Sequence, residues 1–199
     1  MDQGQLPRLF ASATELLEDA LRQRRTPGLV IEFGVYKGRS LDLIACSVFP
    51  EPVVGFDSFM GLPEHWRSGF RKGTFATDIP KVKSNVQLVV GQFEETLPKF
   101  ISQMDQDISF LHVDCDLYSS TTTVLRHCRD RICAGTVIVF DEFHNYPGWE
   151  NHEYKAFSEF LSEERRTFRL LSAVPGGEQV AVVMTGEHSR GRRRVDIRE

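Results

Sequence analysis

Short apolar runs alternate with amphipathic stretches along most of the chain, which is the pattern of an α/β protein. The first amphipathic stretch predicts a helix from Ser12 to Arg24, because Ser12 and Glu15 have the spacing of a capping box. Further helices are predicted from near Ser40, across FEETLPKFI, from a cap at Ser119 or Ser120 through Cys128, and from His152 to Glu164. Buried strands are predicted at LVIEFG, VVGF, VQLVVG, ISFLHVD and, after Gly135, TVIVF.

This alternation favours a mainly parallel sheet with helices on both faces. The last two apolar runs, FRLLSAV and QVAVVM, flank the turn Pro175-Gly176-Gly177 and predict an antiparallel pair that closes the sheet. We therefore expect seven strands in a single domain over residues 1–187.

One long segment, from Ser58 to about Ser84, shows little periodicity and is rich in Gly, Pro, aromatic and basic residues. A connection of this length inside a compact domain is usually functional, so we expect it to be a lid over a binding site. Two of its residues, His65 and Trp66, either stack on a ligand or pack the loop.

Composition excludes some classes of partner. With 41% hydrophobic residues and a net charge of -4, the chain gives no electrostatic reason to expect nucleic acid or an anionic membrane. No apolar run approaches a membrane span and no signal peptide precedes the first helix, so we expect a cytoplasmic protein with reduced cysteines. The arginine-rich tail at residues 188–199 could contact an acidic partner, but its lack of periodicity favours a solvated, disordered end.

Four acids follow two of the predicted strands. Asp114 and Asp116 end the run ISFLHVDCD, and Asp141 and Glu142 follow the run GTVIVF. The carboxyl ends of strands in an open α/β sheet border the ligand crevice, where four acids would repel one another without a cation or a proton. Oxygen ligands of this kind suit Mg²⁺. The alternative is that these acids cap helices, but two acid pairs on successive strands favour a metal or acid–base site.

The turn after the first parallel strand excludes one class of cofactor. It reads Glu32-Phe33-Gly34-Val35-Tyr36-Lys37-Gly38, so Tyr36 stands where a dinucleotide-binding turn has its second glycine. A pyrophosphate is therefore disfavoured, and Glu32 suits a cationic or amine-bearing ligand. Asp57, at the end of the second strand, is placed to accept hydrogen bonds from ribose hydroxyls. Together these features favour S-adenosylmethionine over NAD.

Five separated motifs, IEFGVYKGRS, GFDSFMGLPE, GQFEETLP, LHVDCDLYSST and FDEFHNYPGWENHEYKAF, make the chain resemble the macrocin O-methyltransferase family over about residues 28–185. The resemblance implies a Rossmann-like class I methyltransferase fold that uses S-adenosylmethionine and Mg²⁺. It also implies that Asp114, Asp141 and Glu142 bind the metal and that Asp116 is the general base, although many members have a second aspartate where this chain has Glu142. The implied cofactor-binding residues are Glu32, Gly34, Tyr36, Gly38, Ser40, Asp57, Ser58, Gln92, Phe93 and Asp114.

The function expected from the sequence is methyl transfer from S-adenosylmethionine to a hydroxyl of a sugar or glycosylated natural product. A catechol-type O-methyltransferase and an inactive module that only binds the cofactor remain alternatives, and a dehydrogenase is disfavoured by Tyr36. His144 is an alternative base, whereas His112 is expected to pack inside its strand. The expected partner is a small-molecule hydroxyl acceptor, with no nucleic acid and no membrane; a homodimer is left open.

Overall fold

The structure, a computed structural model, describes residues 6–186. Its five α-helices are α1 (Ala13–Arg22), α2 (Arg39–Val48), α3 (Phe93–Ser102), α4 (Tyr118–Cys128) and α5 (Glu153–Glu163). The strands are β1 (Arg8–Leu9), β2 (Leu29–Phe33), β3 (Val53–Asp57), β4 (Val86–Val90), β5 (Ile108–Val113), β6 (Ile132–Phe140), β7 (Thr167–Ala173) and β8 (Val180–Thr185). The tail predicted to be disordered, residues 188–199, lies outside the described residues.

The strands form one sheet in the order β1-β7-β8-β6-β5-β2-β3-β4. Strand β8 is antiparallel to both of its neighbours, and the other strand pairs are parallel. The predicted mostly parallel sheet with an antiparallel closing strand is therefore confirmed. The described sheet has eight strands where seven were predicted, because the two-residue β1 pairs with β7 and is too short to show an alternating pattern.

Helices cover both faces of the sheet, as predicted. Apolar residues of α1 and α2 pack on one face, and those of α3, α4 and α5 pack on the other. This arrangement explains why the central strand β5 is buried along its whole length. Among residues 6–186, no helix is both long and apolar enough to cross a membrane.

Two predicted boundaries were wrong. Helix α4 begins at Tyr118, so Ser119 and Ser120 lie inside its first turn and do not cap it. The reason is that the chain turns sharply after β5 and enters the helix within a few residues. Strand β6 begins at Ile132 and runs through Gly135, which was predicted to lie before the strand. Gly135 has a φ of 94°, and the pairing of β5 with β6 is irregular near this point, so the glycine accommodates a local distortion. By contrast, Ser12 caps α1 as predicted, accepting a hydrogen bond from the Glu15 amide at 3.2 Å.

The sheet reverses its winding between β5 and β2. From β2 the chain progresses outward to β3 and β4, whereas from β5 it progresses in the other direction to β6. In open α/β sheets, ligands bind at the carboxyl ends of the strands at such a switch point. The topology therefore identifies the ends of β2, β5 and β6 as the place to look for a functional site.

Candidate active site

Strand register brings the predicted acids together. Phe33 pairs with Val113, and Val113 pairs with Phe140, so the residues that follow these strands leave the sheet at the same level. Asp114 and Asp141 are two of these residues. One carboxylate oxygen from each of Asp114, Asp141 and Glu142 lies within 4.8 Å of the other two. We call these three side chains the carboxylate cluster.

Asp116 also faces the site, because the chain leaves β5 before reaching it. On a regular strand Asp114 and Asp116 would point to opposite faces of the sheet. Strand β5 ends at Val113, and Asp116 has a φ of 62°, a left-handed conformation that aspartate tolerates better than most residues. As a result, Asp114 and Asp116 line the same cleft.

Electrostatic repulsion within the site is strong. Burial raises the pKa of Asp114 well above its ordinary value, and the charge of Asp141 raises it further. The pKa of Glu142 is raised by burial and then by the charges of Asp141 and Asp114. Burial also raises the pKa of Asp116 to about 7, although the Arg67 guanidinium opposes this shift. Bound protons or a cation would relieve this repulsion.

The glycine turn after β2 lies directly against the backbone of Asp114. Gly34 has a φ of 92°, and a Cβ atom there would overlap the backbone carbonyl oxygen of Asp114. Tyr36 adopts a φ of 49° despite having a side chain, so the turn keeps a glycine-like conformation where the second glycine is missing. The ends of β2 and β5 are therefore in close contact through backbone atoms.

Asp57 holds this turn in place. One of its carboxylate oxygens accepts hydrogen bonds from the backbone amides of Val35 at 2.8 Å and Tyr36 at 2.7 Å. The other accepts from the amide of Phe59 at 2.7 Å. The carboxylate is thus engaged with three backbone donors, and its contact with a ribose stays a prediction.

Replacing Asp57 is expected to destabilise the fold around the turn. Asp57→Ala should lower the free energy of unfolding by about 1.5–3 kcal/mol, because hydrogen bonds to a charged group are lost and two part-buried amides lose their acceptor. Urea denaturation followed by circular dichroism measures this change. Asp78→Ala, at an exposed position in the 58–84 segment, is the control. Equal stabilities of the two variants would contradict the structural role of Asp57.

A cleft of about 400 Å³ opens at the switch point beside these groups. It is lined by most of the residues predicted to bind the cofactor: Gly34, Tyr36, Asp57, Ser58, Gln92, Phe93 and Asp114. The other predicted cofactor residues are outside this lining. Gly38 precedes the first turn of α2, in which Ser40 lies, and Glu32 is wholly buried in β2. The cofactor contacts of all these residues stay predictions.

Glu32 has a partner within the protein. Its carboxylate lies 2.8 Å from Nδ1 of His112, which is the residue beside it on β5. Burial alone would lower the pKa of His112, but the hydrogen bond and the charge of Glu32 raise it to about 9. Glu32 therefore has a hydrogen-bond partner within the protein, both side chains are buried, and its contact with a cationic ligand stays a prediction.

The segment of residues 58–84 forms one wall of the cleft. As predicted, it contains no helix or strand, and Leu62, Trp66, Phe70 and Phe75 from this segment line the cavity. Trp66 is buried, whereas His65 is exposed to solvent. The movement of this segment as a lid stays a prediction.

Arg67 joins this wall to the turn between β7 and β8, a contact that the sequence did not suggest. Its guanidinium carbon lies 3.9 Å from the ring centroid of Trp66 and 4.3 Å from that of Tyr146. One guanidinium nitrogen lies 3.0 Å from each carboxylate oxygen of Glu178, in the turn between β7 and β8. Arg67 and Glu178 are 111 residues apart, so no local pattern could reveal the pair.

Glu153 is a second residue whose position could not be predicted. Its side chain is wholly buried at the start of α5. One carboxylate oxygen accepts a hydrogen bond from the backbone amide of Glu142 at 3.0 Å. Glu153 therefore lies directly behind the carboxylate cluster.

Comparisons with known proteins identify the family. The family model described as a methyltransferase domain matches residues 31–143, which is more than half of the chain. Demethyldecarbamoylnovobiocin O-methyltransferase of Streptomyces niveus is 25% identical over 176 residues, covering 75% of this chain and 66% of that protein. The 8-demethyl-8-(2,3-dimethoxy-α-L-rhamnosyl)-tetracenomycin-C 4'-O-methyltransferase of Streptomyces olivaceus is 26% identical over 148 residues, covering 59% of this chain and 53% of that protein.

A solved structure is also similar to this chain. The crystal structure of CalS11, a calicheamicin methyltransferase, has a TM-score of 0.71 and 29% identity, covering 87% of this chain and 79% of that chain. The chain spans about half to two thirds of the length of the two curated relatives. The narrower macrocin family stays a prediction. The class I methyltransferase fold is confirmed, and the chain belongs to the methyltransferase domain family.

Proposed function

We propose that this protein is a Mg²⁺-dependent O-methyltransferase that transfers a methyl group from S-adenosylmethionine to a hydroxyl of a sugar or a glycosylated natural product. The observation that carries the proposal is the carboxylate cluster, with its oxygens within 4.8 Å of one another, beside the glycine turn at the switch point of the sheet. The curated relatives support the acceptor class, because both are named as O-methyltransferases and the one from Streptomyces olivaceus is named for a rhamnosyl compound.

The cluster fits a divalent cation. Asp114, Asp141 and Glu142 offer hard oxygen ligands, which Mg²⁺ prefers. One oxygen of Glu142 is buried without a hydrogen-bond partner, so at this oxygen no protein donor would compete with an ion. When bound, the cation would supply positive charge that stabilises an oxygen losing its proton. These three residues are the ones that would hold it.

Asp116 is the residue we assign as general base. It lines the same cleft as the cluster, and the turn after β5 aims it there. An aliphatic hydroxyl is a weak nucleophile, with an acidity near that of bulk water (pKa about 15.7). A carboxylate that accepts the proton as the oxygen attacks contributes typically about 10²–10⁴-fold to the rate.

The cofactor is assigned to the part of the cleft next to the glycine turn. Asp57 keeps the backbone of Val35 and Tyr36 in place there, so the wall on this side is held rigidly before a ligand arrives. S-adenosylmethionine would supply the methyl group from its sulfonium. The wall formed by the 58–84 segment is the side on which the acceptor would approach. Holding both reactants in line accounts for up to roughly 7–11 kcal/mol of the barrier in favourable cases.

Ligand binding provides the test of this proposal. In calorimetric titrations, S-adenosylmethionine or S-adenosylhomocysteine is expected to bind with micromolar affinity, whereas NAD is not expected to bind. The reason is that Tyr36 occupies the position where a pyrophosphate requires glycine. Tight binding of NAD, or no binding of either methyl-donor ligand, would reject the assignment.

Acceptor class requires a second assay. Labelled S-adenosylmethionine, incubated with a panel of sugars, glycosides and catechols, shows which hydroxyls receive the methyl group. Transfer to glycosides supports the proposal. Transfer to catechols alone would favour the catechol-type alternative, and cofactor binding with no transfer to any acceptor would favour an inactive binding module.

A further inference from the structure

We propose that Glu153 is a positioning residue that fixes the backbone of Glu142 and thereby keeps its side chain within the carboxylate cluster. This inference rests on the proposed function only in so far as the cluster binds a cation. The hydrogen bond itself joins Oε2 of Glu153 to the amide of Glu142 at 3.0 Å and is buried.

The backbone after β6 has a distinct acceptor for each successive amide. The Asp141 amide donates to the Val113 carbonyl at 3.0 Å, the Glu142 amide to Glu153 at 3.0 Å, and the Phe143 amide to the Glu178 carbonyl at 2.9 Å. Of these three amides, only that of Glu142 donates its hydrogen bond to a side chain. Substitution can therefore remove this contact without changing the sheet or the β7–β8 turn.

A plainer explanation is that Glu153 is an acid in the first turn of a helix, where negative charge interacts favourably with the helix dipole. That explanation does not require burial, and most such acids remain solvated. Glu153 is fully buried, and the described hydrogen bond of its carboxylate is with a residue 11 positions earlier rather than with α5. Burying a carboxyl group is costly unless it is hydrogen-bonded, so the contact with Glu142 offsets part of that cost.

The position of Glu142 makes this support necessary. Glu142 follows Asp141 at the point where the chain has left β6, beyond the last paired residue, Phe140. One oxygen of its carboxylate is buried without a protein donor. No hydrogen bond from the protein holds the Glu142 side chain at that oxygen. The position of the side chain therefore depends on the position of the Glu142 backbone. Residues that orient metal ligands in this way typically change metal affinity by about 10–100-fold when mutated.

Three variants separate the hydrogen bond from other effects. Glu153→Gln keeps an oxygen that can accept from the Glu142 amide at nearly the same size. Glu153→Ala removes the acceptor, and Glu153→Leu replaces it if the alanine variant does not fold. Glu150→Ala, at an exposed position three residues before Glu153, is the matched control. Circular dichroism and thermal unfolding establish that each variant is folded.

Hydrogen exchange of the Glu142 amide, measured by NMR without any cation, is the first readout. Glu153→Ala should speed this exchange by about tenfold, as loss of a buried hydrogen bond implies, whereas Glu153→Gln and Glu150→Ala should leave it nearly unchanged. Unchanged exchange in Glu153→Ala, or equally fast exchange in Glu153→Gln, would overturn the proposal.

Binding of Mn²⁺, followed by electron paramagnetic resonance, is the second readout. Glu153→Ala should weaken Mn²⁺ binding by about 10–100-fold, with the affinity for S-adenosylhomocysteine changed by less than about twofold. Wild-type affinity for Mn²⁺ in Glu153→Ala would contradict the positioning role. If the wild-type protein itself binds no Mn²⁺ while the exchange results are as expected, the contact between Glu153 and Glu142 is supported and the cation site of the proposed function is rejected.

Discussion

Removal of divalent cations is expected to reduce methyl transfer by at least about 10³-fold, since the positive charge that a metal ion places on a reacting oxygen contributes several kcal/mol. Exhaustive chelation with EDTA followed by a labelled-methyl assay measures this loss, and added Mg²⁺ should restore the rate. Asp114→Asn should behave similarly, because the amide weakens one of the three oxygen ligands of the cluster.

Cofactor affinity distinguishes this effect from general damage to the site. S-adenosylhomocysteine should bind the chelated protein nearly as well as the untreated protein, because the glycine turn is held by Asp57 and not by the cluster. Full turnover after exhaustive chelation would reject the metal role of Asp114 and Asp141.

Asp116→Asn should lower turnover by about 10²–10⁴-fold while both ligands and Mn²⁺ still bind. Asparagine is nearly isosteric but cannot take the proton from the hydroxyl. It also tolerates the left-handed backbone that Asp116 adopts at a φ of 62°, so the turn after β5 should be preserved. The loss should therefore appear in kcat, with little change in KM for the cofactor.

The control for this substitution is Asp105→Asn, at an exposed position before the opposite end of β5. It should leave turnover unchanged. Undiminished turnover in Asp116→Asn would contradict the base assignment and transfer that role to His144, the alternative that follows the acid pair. In the structure His144 is half-buried and is absent from the lining of the cleft described above.

The acids of the site could be predicted because they mark the ends of buried strands. Strands β5 and β6 are continuous apolar runs, and in a parallel sheet their carboxyl ends lie at the same edge. From the sequence alone, this reasoning places Asp114 and Asp141 side by side. To predict that Asp116 faces the cleft, one must also assume that the chain leaves β5 before this residue. On a continuous strand, the alternation of side chains would have turned Asp116 away from the cleft.

Contacts between distant parts of the chain could not be predicted. Arg67 pairs with Glu178, which lies 111 residues later in the chain, and Glu153 accepts a hydrogen bond from the backbone amide of Glu142. A contact with a backbone amide leaves no pattern of residue types in the sequence. The same limit applies to the hydrogen bonds that Asp57 accepts from three backbone amides, and the contact of Asp57 with a ligand stays a prediction. Each of these contacts depends on tertiary geometry at the ends of strands, where periodicity carries no information.

A crystal structure with S-adenosylhomocysteine and Mn²⁺ tests the central claim most directly. Anomalous scattering locates the manganese without ambiguity, and we expect a single strong peak within bonding distance of Asp114, Asp141 and Glu142. S-adenosylhomocysteine should lie in the same cleft against the turn that contains Gly34, with its sulfur directed towards the side of Asp116. A bound cofactor with no anomalous peak at these three carboxylates, or a cofactor bound outside this cleft, would contradict the account.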